Sequence, residues 1–283
     1  MAELADAHGL GPCVLKQTWE FKSPPRHHLI MKITFLGTSA GWPLPRLGCR
    51  CAICVSKDPK DTRTRSQLLV NDTILLDAGP DTYNHLINSN PSDIRHILIS
   101  HTHPDHVMGL WDVSHIYNTK QKINLFIPNE ILNGLRKIPD LLLIQLKINV
   151  VQPHERIQLD NNTTVEYFPV EHGRRSAFGI KVKSGQILIY IPDMSRLPKK
   201  VYRTVKGAHL LIMDGSSLGK RGQAGSHQSI EEGIKLGKEV KAKQVYFIHI
   251  GHASGRHDEL ENFVQDRGGK NFHIAYDGQE LEI

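Results

Sequence analysis

The sequence predicts an α/β (α+β) protein whose β-sheets are covered on the outside by helices. A strand signal at 32–36 is followed by two more, at 67–70 and 73–76, and these two flank Asn71-Asp72 as the strands of a hairpin do. The stretch at 94–99 ends in three consecutive apolar residues, after which the spacing of apolar residues becomes helical. Many strands, a paired hairpin and interspersed helices indicate sheets covered on the outside by helices.

Each element follows from its local pattern of apolar residues. Strands are predicted at 32–36, 67–70, 73–76, 94–99, 123–127, 148–151, 163–170, 178–182, 187–191, 210–213 and 244–248. Helices are predicted near 129–137, 229–239 and 258–266. A further helix is predicted from Asp105, with one face shared by Val107, Leu110, Trp111 and Ile116.

Residues 1–30 differ from the rest of the chain, because they combine glycines and prolines with no clean hydrophobic period. We expect this segment to be a disordered extension or the product of a misplaced start codon. The chain from 31 to 283 shows no repeat at a fixed period and no low-complexity linker. We therefore expect it to form one functional domain.

Composition limits the classes of function. The sequence contains no apolar stretch of about 18 residues, and residues 1–30 lack the apolar centre of a secretory signal, so we expect a cytoplasmic protein without membrane contact. The formal charge of +6 favours anionic partners such as phosphate esters or RNA. Aromatic residues form only 6% of the chain, which gives little support to a stacking platform for single strands. Seventeen histidines are a first indication of metal binding.

A histidine-rich loop follows the strand predicted at 94–99. It reads His101-Thr-His103-Pro-Asp105-His106. Side chains two residues apart in an extended segment point the same way, so the first two histidines form one pair of ligands. Asp105 and His106 form a second pair where a helix begins. One metal ion cannot readily take all four side chains at this spacing, and two adjacent ions can.

This loop resembles that of the metallo-β-lactamase superfamily, a group of binuclear hydrolases with an αββα sandwich fold. The resemblance implies three further ligands, and the sequence has a suitable residue after each of three predicted strands: His172, Asp193 and His249. It implies that one ion is bound by His101, His103 and His172. It implies that the other is bound by Asp105, His106 and His249. Asp193 would lie between the ions, and Asp77 would orient ligands without binding metal.

Three cysteines, Cys49, Cys51 and Cys54, lie within six residues, a spacing that suggests metal in a chain without an export signal. They lack one ligand for a tetrahedral zinc site, and His252 is the candidate, since it points away from His249 in an extended chain. Three unliganded thiols are the alternative. The resemblance narrows here to the PhnP-like phosphodiesterases of the carbon–phosphorus lyase pathway, which are close to tRNase Z, over residues 31–283. It rests on Gly-Thr-x-x-Gly at 37–41, the cysteine motif, His-x-x-His at 249–252 and Tyr276-Asp-Gly278.

The narrower resemblance implies a structural zinc ion beside two active-site ions, Mn²⁺ or Zn²⁺. It implies hydrolysis of small cyclic or linear phosphodiesters by a hydroxide held between those two ions. Two catalytic residues are expected: Asp105, whose loss would empty one metal site, and His227, which resembles the non-ligand histidine of the family and would act as general acid. A surface histidine with no role is the alternative for His227.

Rival functions stay open from the sequence. An RNA 3′-processing endonuclease like tRNase Z shares the fold and the metal chemistry, although no long insertion rich in glycine and lysine is present to grip RNA. A β-lactamase or thioester hydrolase is possible on the same fold. A non-catalytic metal-binding or nucleic-acid-binding module is a rival of another class. A homodimer is a possible assembly that no residue specifies.

Overall fold

The structure is a computed structural model that describes residues 30–87, 91–116, 122–138, 143, 146–219 and 225–283. The expectation for residues 1–30 falls outside the described residues except for Ile30, and it stays a prediction, as does the single domain over 31–283. Among the described residues, no helix is both long enough and apolar enough to cross a membrane.

Helices are interspersed among the strands along the chain, as the sequence predicts. The strands are β1 Lys32–Gly37, β2 Gln67–Val70, β3 Ile74–Leu76, β4 His96–Leu98, β5 Ile123–Pro128, β6 Leu146–Val151, β7 Ile157–Gln158, β8 Thr164–His172, β9 Arg175–Ser184, β10 Gln186–Ile191, β11 Leu210–Asp214, β12 Gln244–Ile248, β13 Phe272–Ile274 and β14 Glu280–Glu282. The helices are α1 Thr82–Leu86, α2 Pro104–Val107, α3 Leu110–Ser114, α4 Asn129–Leu135, α5 Tyr202–Val205, α6 Ile230–Glu239 and α7 His257–Gly268. Short 3₁₀ helices lie at Pro59–Asp61, Pro91–Asp93 and Lys199–Val201.

The strands form two mixed sheets. One has the order β14-β1-β2-β3-β4-β5-β6 and the other has the order β13-β12-β11-β10-β9-β8-β7. The hairpin between β2 and β3 turns at Asn71 and Asp72, whose φ values of +50° and +55° are those of a type I′ connection. Together with flanking helices, these sheets confirm the predicted fold class.

Two apolar clusters hold the layers together. The first joins inward-facing residues of both sheets, such as Leu68, Ile97 and Val182, and thus forms the centre of the sandwich. The second packs the outer face of the second sheet against α6 and α7, with Phe247 and Phe272 among its largest side chains. Because interiors are densely packed, this arrangement fixes the strand ends relative to one another.

The strand directions place one set of carboxyl ends on a single edge of the second sheet. Strands β10, β11 and β12 are parallel, and β8 runs the same way because β9 is antiparallel to both of its neighbours. The carboxyl ends of β8, β10, β11 and β12 therefore meet at one edge. Helix α6 begins near this edge at the N-cap Ser229. In a capping box, the Ser229 N–H donates to the Glu232 carboxylate and the Glu232 N–H donates to the Ser229 hydroxyl oxygen.

The predicted helix from Asp105 is interrupted. It divides into α2 and α3 at Met108-Gly109, where the Gly109 N–H donates to the Ala78 carbonyl at 2.8 Å. A side chain at Gly109 would collide with the Gly79 carbonyl, so helix continuation gives way to this close backbone contact. Trp111 consequently is not part of a shared buried face and is 47% exposed, which makes that detail of the prediction wrong.

Candidate metal centre and cysteine cluster

The histidine-rich loop leaves the end of β4 and passes over the edge described above. In this loop His101 and His106 are fully buried, while His103 and Asp105 are partly buried. Helix α2 starts at Pro104, so Asp105 and His106 lie in its first turn, as the sequence predicts. The backbone of Gly79 approaches so closely that a Cβ there would lie 2.1 Å from the Asp105 carbonyl oxygen, which restricts the position to glycine.

Three strand ends deliver the remaining side chains. His172 is the last residue of β8, Asp193 follows β10 and His249 follows β12. Their ligand atoms meet those of the loop in two groups that share one carboxylate. The first group is His101, His103, His172 and Asp193, and the second is Asp105, His106, Asp193 and His249. Within each group the ligand atoms lie within 4.8 Å of one another. The structure thus brings together all seven residues proposed from the sequence, with Asp193 between the two groups.

The buried carboxylate of Asp77 supports the second group. It accepts hydrogen bonds from the Ser100 N–H at 2.7 Å, the Ser100 hydroxyl at 2.8 Å and the Tyr190 hydroxyl at 2.9 Å. His106 Nδ1 lies 2.8 Å from the same carboxylate, which directs His106 Nε2 toward Asp105 and Asp193. Asp77 has the position expected for a residue that orients a ligand without contributing one.

Burial and neighbouring charges shift the pKa values of the carboxylates and imidazoles in this cluster. Burial alone would raise the pKa of Asp193, but the charges of His249, His106 and His101 hold the pKa of this carboxyl well below its usual value. Burial lowers the pKa of His103 to about 4, and it lowers the pKa of His172 as well. These histidines are therefore neutral near pH 7, the form in which imidazole binds a metal ion.

Unpartnered polar atoms provide a direct test of whether metal ions fit. Within the described residues, five buried atoms of this cluster have no hydrogen-bond partner: His106 Nε2, both Asp193 carboxylate oxygens and both ring nitrogens of His249. An unsatisfied buried polar group costs about 1–3 kcal/mol. Divalent cations would partner the Nε2 atoms of His106 and His249 and the two Asp193 oxygens, so the donor set fits two such ions, while His249 Nδ1 faces Asp214.

His227 lies beside the cluster without belonging to either group of four. Its Nδ1 donates to the Asp214 carboxylate at 2.7 Å, and its ring stacks on that of His249 with centroids 5.1 Å apart. Burial lowers the pKa of His227, but the hydrogen bond to Asp214 and the charge of that carboxylate outweigh this effect and raise the pKa to about 9. His227 therefore carries a proton near pH 7.

Asp214 is a residue that the sequence reasoning missed. It ends β11, is fully buried and also accepts from the Ser216 N–H at 2.9 Å. A signal was available, since a carboxylate follows the apolar strand predicted at 210–213 just as Asp193 follows the strand at 187–191.

The three cysteines meet His252 in a second, separate cluster. The ligand atoms of Cys49, Cys51, Cys54 and His252 lie within 4.8 Å of one another. His252 Nδ1 is 3.4 Å from Cys49 Sγ and 3.9 Å from Cys51 Sγ. The structure therefore directs His249 and His252 into different clusters, and three thiols with one imidazole fit a tetrahedral zinc ion.

The two sheets, the flanking helices and the histidine–aspartate groups at one sheet edge define a metal-binding hydrolase of the metallo-β-lactamase fold. The model of the β-lactamase superfamily domain matches residues 72–250, and the chain belongs to that family.

The chain is also similar to individual proteins. The chain is 28% identical over 265 residues to an octanoyltransferase of Porphyromonas gingivalis, covering 89% of this chain and 52% of that protein, so it spans about half the length of this relative. It is 25% identical over 312 residues to the coenzyme PQQ synthesis protein B of Methylobacterium radiotolerans, covering 89% of this chain and all of that protein. The crystal structure of a diphosphatase from the PhnP family superposes with a TM-score of 0.79 at 26% identity, covering 90% of this chain and 98% of the other.

Proposed function

We propose that the chain is a metal-dependent phosphodiesterase that hydrolyses small phosphodiesters, including cyclic ones, at a binuclear centre. The observation that carries this proposal is the pair of four-residue groups sharing Asp193, with a protonated His227 next to them. The similarity to a diphosphatase of the PhnP family supports phosphorus chemistry rather than carbonyl chemistry.

In this proposal His101, His103, His172 and Asp193 hold one ion, and Asp105, His106, Asp193 and His249 hold the other. When bound, two Mn²⁺ or Zn²⁺ ions supply a hydroxide nucleophile near neutral pH and stabilise the negative charge that grows on the phosphoryl oxygens. The protein contributes the fixed spacing: Asp77 orients His106, and Ser100 and Tyr190 hold Asp77 in place.

His227 acts as the general acid in this proposal. Because a carboxylate can only accept, the 2.7 Å contact with Asp214 places a proton on His227 Nδ1. The proton on Nε2 is then the one that His227 can give to the departing alkoxide oxygen. Bound divalent ions would lower the pKa of His227 from about 9 toward neutrality, which favours proton transfer.

The cysteine cluster holds a structural zinc ion in this proposal. Four protein ligands leave no open position on a tetrahedral ion, so this site stabilises the fold and takes no part in the reaction. The ion would fasten the loop containing Cys49 to the segment after β12, where His249 and His252 lie three residues apart.

The test is a comparison of hydrolysis rates with protein loaded with Mn²⁺ and, separately, Zn²⁺. A ribose cyclic phosphate is compared with a 3′-extended tRNA precursor, and Asp105→Asn is compared with Asp266→Asn, a control on the exposed surface of α7. We expect the cyclic ester to be cleaved by the native protein and by the control, and not by Asp105→Asn. Preference for the tRNA precursor would replace the proposal by RNA 3′-processing, and hydrolysis of neither substrate would contradict it.

A further inference from the structure

Trp42 is an exposed aromatic residue on a firmly anchored loop. It is 64% exposed, although its indole is a large and mainly apolar side chain. The loop is pinned on both sides: the Ala40 N–H donates to the Ile250 carbonyl at 3.1 Å, and the Leu44 N–H donates to the Arg63 carbonyl at 2.7 Å. The anchored backbone therefore keeps Trp42 in solvent, where hydration of its apolar surface costs free energy. Packing of the core gives no reason for this exposure.

The same loop touches the metal centre. A Cβ on Gly41 would lie 3.3 Å from Asp105 Oδ2. The Gly41 carbonyl accepts from Arg65 Nε at 3.0 Å, and Arg65 is fixed in turn by its ion pair with Asp81 at 3.0 Å. The Cα of Trp42 is about 3.8 Å farther along the chain than that of Gly41. The indole thus begins within the length of one side chain from a proposed metal ligand.

Arg46 covers Trp42 from the other end of the loop. Its guanidinium carbon lies 5.3 Å from the centroid of the indole, a cation–π distance. The backbone of Arg46 is tied to the cysteine cluster, because its N–H donates to Cys54 Sγ at 3.3 Å and its carbonyl accepts from the Cys49 N–H at 3.0 Å. The guanidinium also reaches the cluster, with Arg46 Nη1 3.3 Å from His252 Nε2, so the cysteine cluster fixes the cation beside the aromatic ring.

We infer that Trp42 and Arg46 form a shelf that binds a flat aromatic base carried by the phosphodiester, which makes nucleotides the preferred substrate class. The inference rests on the proposed function. A nucleotide carries its base one sugar away from the phosphate, so a phosphate at the metal centre can leave its base on the neighbouring loop. Stacking on an aromatic ring accepts any base, and the Arg46 cation adds attraction for both the ring and the phosphate charge.

The test uses two esters that differ only in the base: adenosine 2′,3′-cyclic phosphate and methyl riboside 2′,3′-cyclic phosphate. With Mn²⁺-loaded protein, we expect Trp42→Ala to lower kcat/KM for the adenosine ester by roughly 5- to 100-fold, the range that one base-stacking contact supports, mainly through KM. The rate on the methyl riboside ester should stay within about twofold, since that ester has no base to stack. Trp42→Phe should retain most of the preference, and Trp111→Ala, which removes a partly exposed indole from α3, should change neither rate.

A binding measurement separates the shelf from the hydrolytic reaction. Titration calorimetry compares adenosine 3′-monophosphate with inorganic phosphate, for native protein and for Trp42→Ala. We expect the variant to weaken binding of the nucleotide by a factor similar to the kinetic loss and to leave phosphate binding unchanged. Absence of turnover on both esters would contradict the proposed function while binding still decides the shelf. Equal losses on both esters, or unchanged nucleotide binding in Trp42→Ala, would overturn the shelf.

Discussion

His249 and His252 are three residues apart in sequence but belong to two different ligand clusters. The two clusters are built in opposite ways. The histidine–aspartate cluster takes its ligands from four separate places along the chain and is almost entirely buried. The cysteine cluster takes three of its four ligands from six consecutive residues, and all four are partly exposed. One cluster therefore depends on the whole sandwich, whereas the other depends on a single loop and one fastening point.

The two clusters also differ in the chemical type of their ligands. Thiolates and imidazole in a set of four suit a closed zinc site, while mixed carboxylates and imidazoles suit ions that must also bind water and substrate. Beside the buried cluster lies His227, whose Nδ1 donates to Asp214 and which is the general acid in the proposed function. In the proposed function, the buried cluster carries out the reaction and the exposed cluster stabilises the fold.

The largest expected effect comes from Asp193, which belongs to both groups of the buried cluster. Asp193→Asn keeps the size of the side chain and removes the charge that faces four histidines: His101, His106, His172 and His249. We expect turnover to become unmeasurable and metal affinity to fall by more than about 100-fold, because even partners outside the ligand set are worth roughly 10- to 100-fold. Metal content by mass spectrometry and circular dichroism of the variant check this. A folded Asp193→Asn protein with two tightly bound active-site ions would contradict the role of Asp193 as a shared ligand of the buried cluster.

His227→Ala is expected to have the next largest effect. A general acid contributes about 10²- to 10⁴-fold to kcat, so kcat should fall in this range while the metal content of both clusters stays normal. His154→Ala is the matched control, since His154 is an exposed histidine remote from the cluster in sequence. A poorer leaving group should make the loss larger, as expected for a missing proton donor. An unchanged kcat would remove His227 from the mechanism.

Local sequence patterns predicted much of this architecture for identifiable reasons. The ligand loop has a distinctive spacing, and the carboxyl ends of β8, β10 and β12 are each marked by an apolar run followed by a polar ligand. The capping box at Ser229 and Glu232 likewise marks the start of α6 in the sequence. These features are local, so one chain suffices to find them.

Long-range contacts account for what the sequence did not predict. The Tyr190 hydroxyl donates to Asp77, a residue 113 positions away in the sequence. No local sequence pattern predicts that hydrogen bond. The break between α2 and α3 arises from the close approach of Gly109 to Gly79, which is a tertiary contact. The helical period of the apolar residues predicted that Trp111 lies on a shared buried face. Tertiary packing leaves Trp111 partly exposed instead.

Cys51→Ala tests whether the cysteine cluster contributes to stability rather than to catalysis. We expect zinc content to fall by one ion per chain and Tm to fall by at least about 4 °C, since 1 kcal/mol corresponds to roughly 2–4 °C in a domain of this size. The kcat of the protein that stays folded should change by no more than about twofold. Cys13→Ala, outside the cysteine motif, is the control. Unchanged Tm and zinc content would contradict a structural zinc ion.

The smallest expected effect distinguishes the thiols within the exposed cluster of metal-free protein. Hydrogen bonds from the Cys51 backbone and from His252 lower the pKa of Cys49 to about 6, whereas burial raises the pKa of Cys54 to about 11. At pH 7.5 Cys49 is thus mainly thiolate, the reactive form, and Cys54 is mainly thiol. We expect iodoacetamide to modify Cys49 at least about tenfold faster than Cys54, as read by peptide mass spectrometry.

Lowering the pH to 5 should slow the reaction of Cys49, because that pH lies below its pKa of about 6 and the thiolate becomes protonated. Zinc should protect Cys49, Cys51 and Cys54 together, because one ion would occupy all three thiolates. Equal reactivity of Cys49 and Cys54 without metal would contradict the geometry of the cluster. Protection of only one thiol by zinc would instead show that the exposed cluster does not close around a single ion, and the contrast with the buried cluster would lose its basis.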